Sequence, residues 1–302
     1  MAGSQDFTAD PRNDKVELYL NGDFVPRDKA MVSVFDAGWI LGDGIWEGLR
    51  NHGGRLAFME RHLDRLFMGA TAIDLDIGMT RDQVRKALED TLEHNGMTGE
   101  DGVHVRLMIT RGLKKTPNQD PRHTIGGSTV VIVPEYKPAS PEILKTGLTL
   151  FTSAIRCCRA DMFDMRLNTH SRLNLIMALT QAIKAGADEA LMLDDRGFVA
   201  SCNATNFFIV RHGKVMTSTG ASCFNGITRA NMIELCDQLG IPCEERDFSL
   251  AQVYDADEVF VTGSFGGLTP VAMIDGRKIR QIMGPVSTRL REAYIDYAKT
   301  AE

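Results

Sequence analysis

The sequence predicts a mixed α/β (α+β) chain folded as two sub-domains. Its 302 residues, 43% hydrophobic and 25% charged, are enough for two modest cores or one large one. Strand-like alternation and helical periodicity follow each other irregularly, with frequent hairpins, unlike a regular βαβ series. The one clear break in composition is "VPEYKPASPE", residues 133–142, with three prolines in a short polar run. Proline holds itself and its predecessor extended, so this stretch reads as a linker between residues 1–132 and 143–302.

Ahead of that stretch, "VELYLNGDFVP" reads as a hairpin turning at Asn21-Gly22. "FMERHLDRLFMGATAI" sets Phe58, His62, Leu66 and Phe67 at helical spacing, and "RDQVRKALEDTLEHNG" is a second amphipathic helix closed by glycine. "GVHVRLMITRG" and "STVVIVP" read as strands. In the first, His104, Arg106 and Met108 share one face while Val105, Leu107 and Ile109 share the other. Beyond the prolines, a helix is expected from near Ser171 to Gly186. The hairpins "DEALMLDDRGFVAS" and "TNFFIVRHGKVMTS" follow, then a helix over "TRANMIELCDQLG", a strand over "DEVFVTG" and a terminal helix over "GPVSTRLREAYIDYAKT".

Charge and composition narrow the function. Thirty-four basic residues against forty acidic give a net charge of −6, with no long run of one sign. That excludes the basic footprint of a nucleic-acid binder. No window approaches the ~18 apolar residues of a membrane span, and the polar start "MAGSQDFTADPRNDK" lacks the pattern of a secretion signal. Six cysteines (157, 158, 202, 223, 236, 243) match no zinc spacing and read as reduced thiols of a cytoplasmic protein, so no metal is expected.

Several motifs could carry chemistry. In "FNGITRANMIELC", Gly226-Ile227-Thr228 stands at a helix start, where free N–H groups and the helix dipole favour an anion; a plain Thr cap is the alternative. "FVTGSFGGLTP" runs a strand into a glycine-rich turn carrying Ser264, which serves either as a tight turn or as a close approach to an anionic ligand. In "MERHLDRLF", His62 falls on the apolar side as a packing residue, and Arg65 suits either solvent or a phosphate. Arg106, on a strand among apolar residues, suits a carboxylate or a structural acid. "NTHSR", residues 168–172, is more polar than a helix cap requires.

Together the motifs "LYLNGDFVP", "GDGIWEGLR", "RHLDRL", "RLMITRG", "GADEALMLD", "NFFIV", "GITR", "ADEVFVTGS" and "IDGR" with "GPVSTRL" occur in one order over residues 16–297. In that order they resemble the fold type IV pyridoxal-phosphate enzymes, the branched-chain and D-amino-acid aminotransferases and their lyase relatives. The resemblance implies a two-domain fold type IV architecture, with the C-terminal domain carrying most of the cofactor site. It implies pyridoxal 5'-phosphate as cofactor, an amino acid or 2-oxo acid as substrate, and a homodimer. It places Arg65, Ile227, Thr228 and Ser264 on the cofactor phosphate, and Phe265 and Gly266 in the loop that meets the substrate carboxylate. Trp46, Arg50 and Arg106 become pocket-lining residues.

Two positions depart from the resemblance. Asn168 stands where the family carries its Schiff-base lysine, and no lysine occurs between Lys145 and Lys184. Ser201 stands where a glutamate holds the ring nitrogen protonated. Arg172, one helical turn beyond Asn168, could supply a compensating positive charge, and His170 could act as a general base. Two functions stay open: amino-group transfer between an amino acid and a 2-oxo acid, or non-covalent binding of pyridoxal or pyridoxamine phosphate, or of another phosphorylated ligand, without turnover.

Overall fold

A computed structural model describes residues 3–301 and divides the chain into two compact units. The first unit comprises Thr8–Pro138, the short segment Leu167–Arg172 and residues 298–301. Its strands are β1 (Glu17–Leu20), β2 (Asp23–Pro26), β3 (Gly44–His52), β4 (Arg55–Leu56), β5 (Val103–Thr110), β6 (Leu113–Lys114), β7 (Thr124–Ile125) and β8 (Thr129–Tyr136). Six of them form one antiparallel sheet in the order β2-β1-β8-β5-β3-β4, while β6 and β7 pair separately. The hairpin of β1 and β2 turns at Asn21-Gly22, both with positive φ.

The short α1 (Ala37–Leu41) precedes β3, and α2 (Met59–Ala72) and α3 (Arg81–His94) supply the apolar stripes of the first core. Thr80 and Gln83 close a capping box at the start of α3. The alternation expected for β5 is realised: Val105, Leu107 and Ile109 are buried, whereas Arg106 and Met108 are half-buried on the opposite face.

The proline-rich stretch is shorter as a connection than its composition suggests. Val133–Tyr136 belong to β8, and the passage between units falls at Pro138 and Ala139. Pro134 is tolerated because β1 pairs with β8 only at Val131 and Ile132, so the missing N–H leaves no gap in that ladder.

The second unit holds residues 3–7, Ala139–Arg166 and Leu173–Tyr297. Its strands are β9 (Leu148–Thr152), β10 (Glu189–Leu193), β11 (Val199–Cys202), β12 (Asn206–Arg211), β13 (Lys214–Thr217), β14 (Cys243–Glu245), β15 (Glu258–Gly263), β16 (Gly267–Ile274) and β17 (Arg277–Lys278). They make a nine-stranded mixed sheet ordered β11-β10-β9-β16-β15-β12-β13-β14, with β17 on β16. Its helices are α4 (Ile143–Thr146), α5 (Leu173–Lys184), α6 (Ile227–Gln238), α7 (Leu250–Tyr254) and α8 (Pro285–Thr300), whose last turn enters the first unit. The helix expected from Ser171 starts at Leu173, because residues 167–172 are held by the first unit's sheet. Among the described residues no helix is long and apolar enough to cross a membrane.

Candidate active site

In the first unit the chemistry gathers around β3. Leu167–Arg172 lies along the free edge of this strand: Ile45 bridges Thr169, the Trp46 N–H donates to the Asn168 carbonyl at 2.9 Å, and the His170 N–H donates to that of Gly44 at 2.9 Å. Gly44 permits this approach, since a Cβ there would stand 2.7 Å from the His170 ring and 2.5 Å from the Ile109 carbonyl. The Trp46 indole N–H donates to the Thr169 carbonyl at 3.0 Å.

Asn168 is 6% exposed and both ends of its amide are engaged. Its Nδ2 donates to the Trp46 carbonyl, and its Oδ1 accepts from Arg172 Nη2 at 2.6 Å. Arg172 also donates through Nε to the Thr169 carbonyl at 3.0 Å and through Nη2 to that of Leu167 at 3.1 Å. It therefore ties the segment into a knot. Burial, then the like charges of Arg65 and Arg106, pull Arg172 down to about 10, so it remains a cation at neutral pH. His170 Nε2 lies 3.1 Å from the Ile45 carbonyl, and burial lowers its affinity for a proton. The polar cluster of residues 168–172 is thus a clasp on a strand edge.

Arg106 stacks over the Trp46 ring at 3.7 Å, a close cation–π contact on the sheet face opposite the helices. Arg50 lies four residues further along β3, opposite His104, and donates to the Lys137 carbonyl at 3.3 Å.

The residue that the motif reading passed over is Glu47. It is fully buried on the helix side of β3, where Arg65 of α2 donates to it through Nε at 2.8 Å and Nη2 at 2.6 Å. His62 Nδ1 lies 2.7 Å away and must be the donor, since an ionised carboxylate only accepts. Burial pushes the Glu47 carboxyl upward, but the charge and hydrogen bonds of Arg65, with those of His62, outweigh it and hold the group at about 2. Burial lowers His62, against the pull of Glu47. The packing role expected of His62 is present, with a polar partner added. Arg65 has spent two of its three nitrogens on Glu47, so its guanidinium is fixed in place. The signal in the sequence was an acid at a core position of an alternating strand.

In the second unit the candidate residues meet at the start of α6. Gly226 is its N-cap, and no side chain caps the first turn. A Cβ at Gly226 would stand 2.4 Å from Asn206 Oδ1, which accepts the Gly226 N–H at 3.1 Å. Thr228, one of the first-turn residues, is 2% exposed. Bare backbone, an uncapped turn and the helix dipole together make a cradle that fits a phosphate.

Asn206 links this cradle to Ser201: its Nδ2 donates to the Phe224 carbonyl at 2.6 Å and to Ser201 Oγ at 3.3 Å. Ser201 is buried on β11 and donates its own hydroxyl to the Thr205 carbonyl at 2.8 Å, so it offers a neutral group already engaged. Asn206 also pairs in register with Thr262, whose hydroxyl is buried without a hydrogen-bond partner. Thr262 leads into the turn of Ser264, Phe265 and Gly266 between β15 and β16; Ser264 is half-buried and Phe265 is buried. Asn206 was not singled out from the sequence, although an asparagine in an otherwise buried strand was its mark.

Tested against a pyridoxal-type cofactor, the second-unit cradle fits the phosphate, whereas residue 168 fits no covalent link. An amide cannot form an imine, and this one is consumed by Trp46 and Arg172.

A two-unit α/β chain with an anion cradle at a helix start and an arginine-rich sheet face has the frame of an amino-group transferase of fold type IV. Residues 44–274 match the family model of amino-transferase class IV, and the chain belongs to that family. It is 39% identical to branched-chain-amino-acid aminotransferase-like protein 2 of Arabidopsis thaliana over 94% of its own length and 50% of that protein. The chain thus spans about half the length of the Arabidopsis relatives it matches. It is 30% identical to the branched-chain-amino-acid aminotransferase of Pseudomonas aeruginosa over 92% of each. The solved T.th. branched-chain amino acid aminotransferase with pyridoxamine 5'-phosphate superposes with a TM-score of 0.87 at 28% identity, covering 94% of both chains.

Proposed function

We propose that this chain is a branched-chain-aminotransferase-like protein that holds pyridoxal or pyridoxamine 5'-phosphate by its phosphate and without a covalent bond at residue 168. Two observations carry this reading: the uncapped cradle at Gly226 in the second unit, and, in the first, an Asn168 amide that cannot form an imine and is hydrogen-bonded at both ends. Backbone N–H groups of Ile227 and Thr228 hold the phosphate, with Ser264 of the same unit as a further contact; Arg65 is a phosphate contact that the resemblance to the family implies. The bound cofactor supplies an electron-withdrawing ring for chemistry at an amino acid's Cα. Ser201, a neutral hydroxyl in the place of an acid, leaves that ring a weaker sink.

Amino-group transfer between an amino acid and a 2-oxo acid is the family's activity, and it is favoured by the retained Trp46–Arg106 stack with Arg50 beside it. These first-unit residues suit a substrate carboxylate, and the resemblance to the family adds the loop of Phe265 and Gly266 to that role. Holding without turnover is the second reading, favoured by the Asn168–Arg172 bond. The test is to load the protein with pyridoxal phosphate, reduce with borohydride and map peptides, then assay a panel of amino donors with bound pyridoxal phosphate and a panel of 2-oxo acids with bound pyridoxamine phosphate. No pyridoxyl adduct and loss of the cofactor on dialysis are expected; a reduced adduct on any lysine refutes the non-covalent reading. Turnover of a donor at rates typical of the family decides for the enzyme.

The same reading includes a homodimer. Met31 and Trp39 of the first unit are exposed by 75% and 72%, and α5 in the second shows Leu173, Ile176, Met177 and Ile183 along one exposed stripe. Apolar faces of this kind suit a second copy of the chain. Free thiols at all six cysteines suit a cytoplasmic location.

A further inference from the structure

Residues 3–7 lie on the second unit as a short arm, and a carboxyl group holds them there. Ser4 and Glu189 are both buried, although Gln5, Asp6 and Phe7 beside Ser4 are exposed. The Ser4 N–H donates to Glu189 Oε1 at 3.3 Å, and the Ser4 hydroxyl donates to the same oxygen. Further along the arm, the Asp6 N–H turns back to the Gly3 carbonyl at 2.9 Å and Phe7 bridges Ala139.

Glu189 opens β10, and its other oxygen accepts the Thr205 hydroxyl at 2.8 Å, so it joins the arm to the turn between β11 and β12. The Thr205 carbonyl takes the Ser201 hydroxyl at 2.8 Å and the Cys202 N–H at 2.9 Å, and its methyl would stand 3.5 Å from a Cβ on Gly263. The arm itself reaches the turn between β15 and β16. A Cβ on Gly266 would stand 3.6 Å from the Ser4 carbonyl and 2.7 Å from Thr269 Oγ1, so a bare backbone is needed there. One acid therefore buttresses both turns that carry Ser201 and Ser264 into the site.

We propose that Glu189 is a positioning residue: it latches residues 3–7 against the Ser264–Gly267 turn and so sets the turn that, on the function proposed above, meets the phosphate and the substrate carboxylate. The latch is sensitive to pH. Hydroxyls and an N–H face Glu189, and the titratable groups near it are Asp188, the Cys202 thiol and, on the arm, exposed Asp6. Asp188 is turned to the Thr149 N–H at 2.8 Å, and β9 brings Leu150 opposite Glu189. Burial pushes the Glu189 carboxyl up to about 7, against the hydrogen bonds of Thr205 and Ser4. Lifting the arm admits water and returns the group toward its usual 4.5. Because the docked value is the raised one, docking is strongest below about 4.5 and weakens as pH rises to 7.

Hydrogen exchange of the full chain without cofactor, corrected for the intrinsic rate at each pH, reads the Ser4 and Asp6 amides and residues 264–267. In the wild type, protection of the arm falls on the order of tenfold or more between pH 5 and pH 7. Glu189→Gln keeps an acceptor for Ser4, so the arm stays docked and its protection becomes flat with pH. Glu189→Ala loosens the arm and the turn together, and so does Ser4→Ala, which leaves the core of the unit intact. Wild-type protection that is flat with pH, an arm as loose in Glu189→Gln as in Glu189→Ala, or a turn unmoved when Ser4→Ala frees the arm overturns the proposal. Titration with pyridoxal phosphate separates the two readings: weaker binding by Ser4→Ala supports both, whereas expected exchange with no binding by any form, wild type included, supports the latch and refutes the proposed ligand.

Discussion

Replacing Glu47 with glutamine tests the buried Glu47–His62–Arg65 cluster directly. In the folded chain the carboxyl is held at about 2 instead of its usual 4.5. That difference corresponds to about 3 kcal/mol of stability at neutral pH. A second route agrees: breaking a buried ion pair by removing one partner costs roughly 3–5 kcal/mol, because the arginine is left with an uncompensated charge. Because the folded pKa is depressed, the contribution is fully present above the unfolded value near 4.5 and is lost as pH falls toward 2. The two tryptophans, Trp39 and Trp46, both lie in the first unit, so their fluorescence during urea unfolding reports that unit. With a urea slope of about 3 kcal/mol per molar, the midpoint of Glu47→Gln at pH 7 falls by about 1 M. The gap to the wild type then shrinks as pH is lowered to about 3. A loss below about 1 kcal/mol at pH 7, or a gap that persists undiminished in acid, refutes the assignment.

Further outcomes follow from the same geometry. Gly226→Ala drives a methyl group into Asn206 Oδ1, and affinity for pyridoxal phosphate, read by fluorescence titration, falls tenfold or more for a cost of about 1–3 kcal/mol. Asn168→Lys alone places an ammonium beside Arg172 and forms no borohydride-reducible link, whereas Asn168→Lys combined with Arg172→Tyr does; a full-strength link in the single variant would show that Arg172 is no obstacle. Arg106→Met keeps the volume over Trp46 but removes the charge, and raises the dissociation constant for a 2-oxo acid by about tenfold; an unchanged constant removes Arg106 from carboxylate recognition. On the proposed homodimer, Ile176→Asp on the exposed stripe of α5 shifts sedimentation toward monomer; a wild type that sediments as monomer, or a variant that stays dimeric, removes this stripe as the interface.

Local structure was legible wherever the cause was local. The Asn21-Gly22 turn, the two faces of β5 and the hairpins of β10 with β11 and of β12 with β13 follow from turn chemistry and alternation within a few residues. The start of α5 was misplaced by two residues because its neighbour Arg172 is claimed by hydrogen bonds to Leu167, Asn168 and Thr169, which capping rules do not include. The role of Arg65 was half legible. Its spacing in α2 allowed an inward position, but its partner lies on a strand, and nothing local reveals a pairing of helix and sheet. Asn206 escaped notice for a related reason: its importance comes from reaching both Ser201 and Gly226, which only the folded sheet brings within range.

The clasp of residues 167–172 on β3 also bears on how the chain is made. Trp46 and Asn168 are separated by 122 positions, so β3 leaves the ribosome long before the segment that covers its edge exists. At about 5–20 residues per second, the wait is roughly 6–24 s, far longer than a hairpin needs to form. Throughout that interval the edge of β3 near Ile45 and Trp46 presents unpaired backbone groups, a template for any passing strand. A fragment ending at Pro138 would carry this defect permanently. The first unit, though mostly encoded by the first half of the chain, can be completed only after the second half has begun to appear.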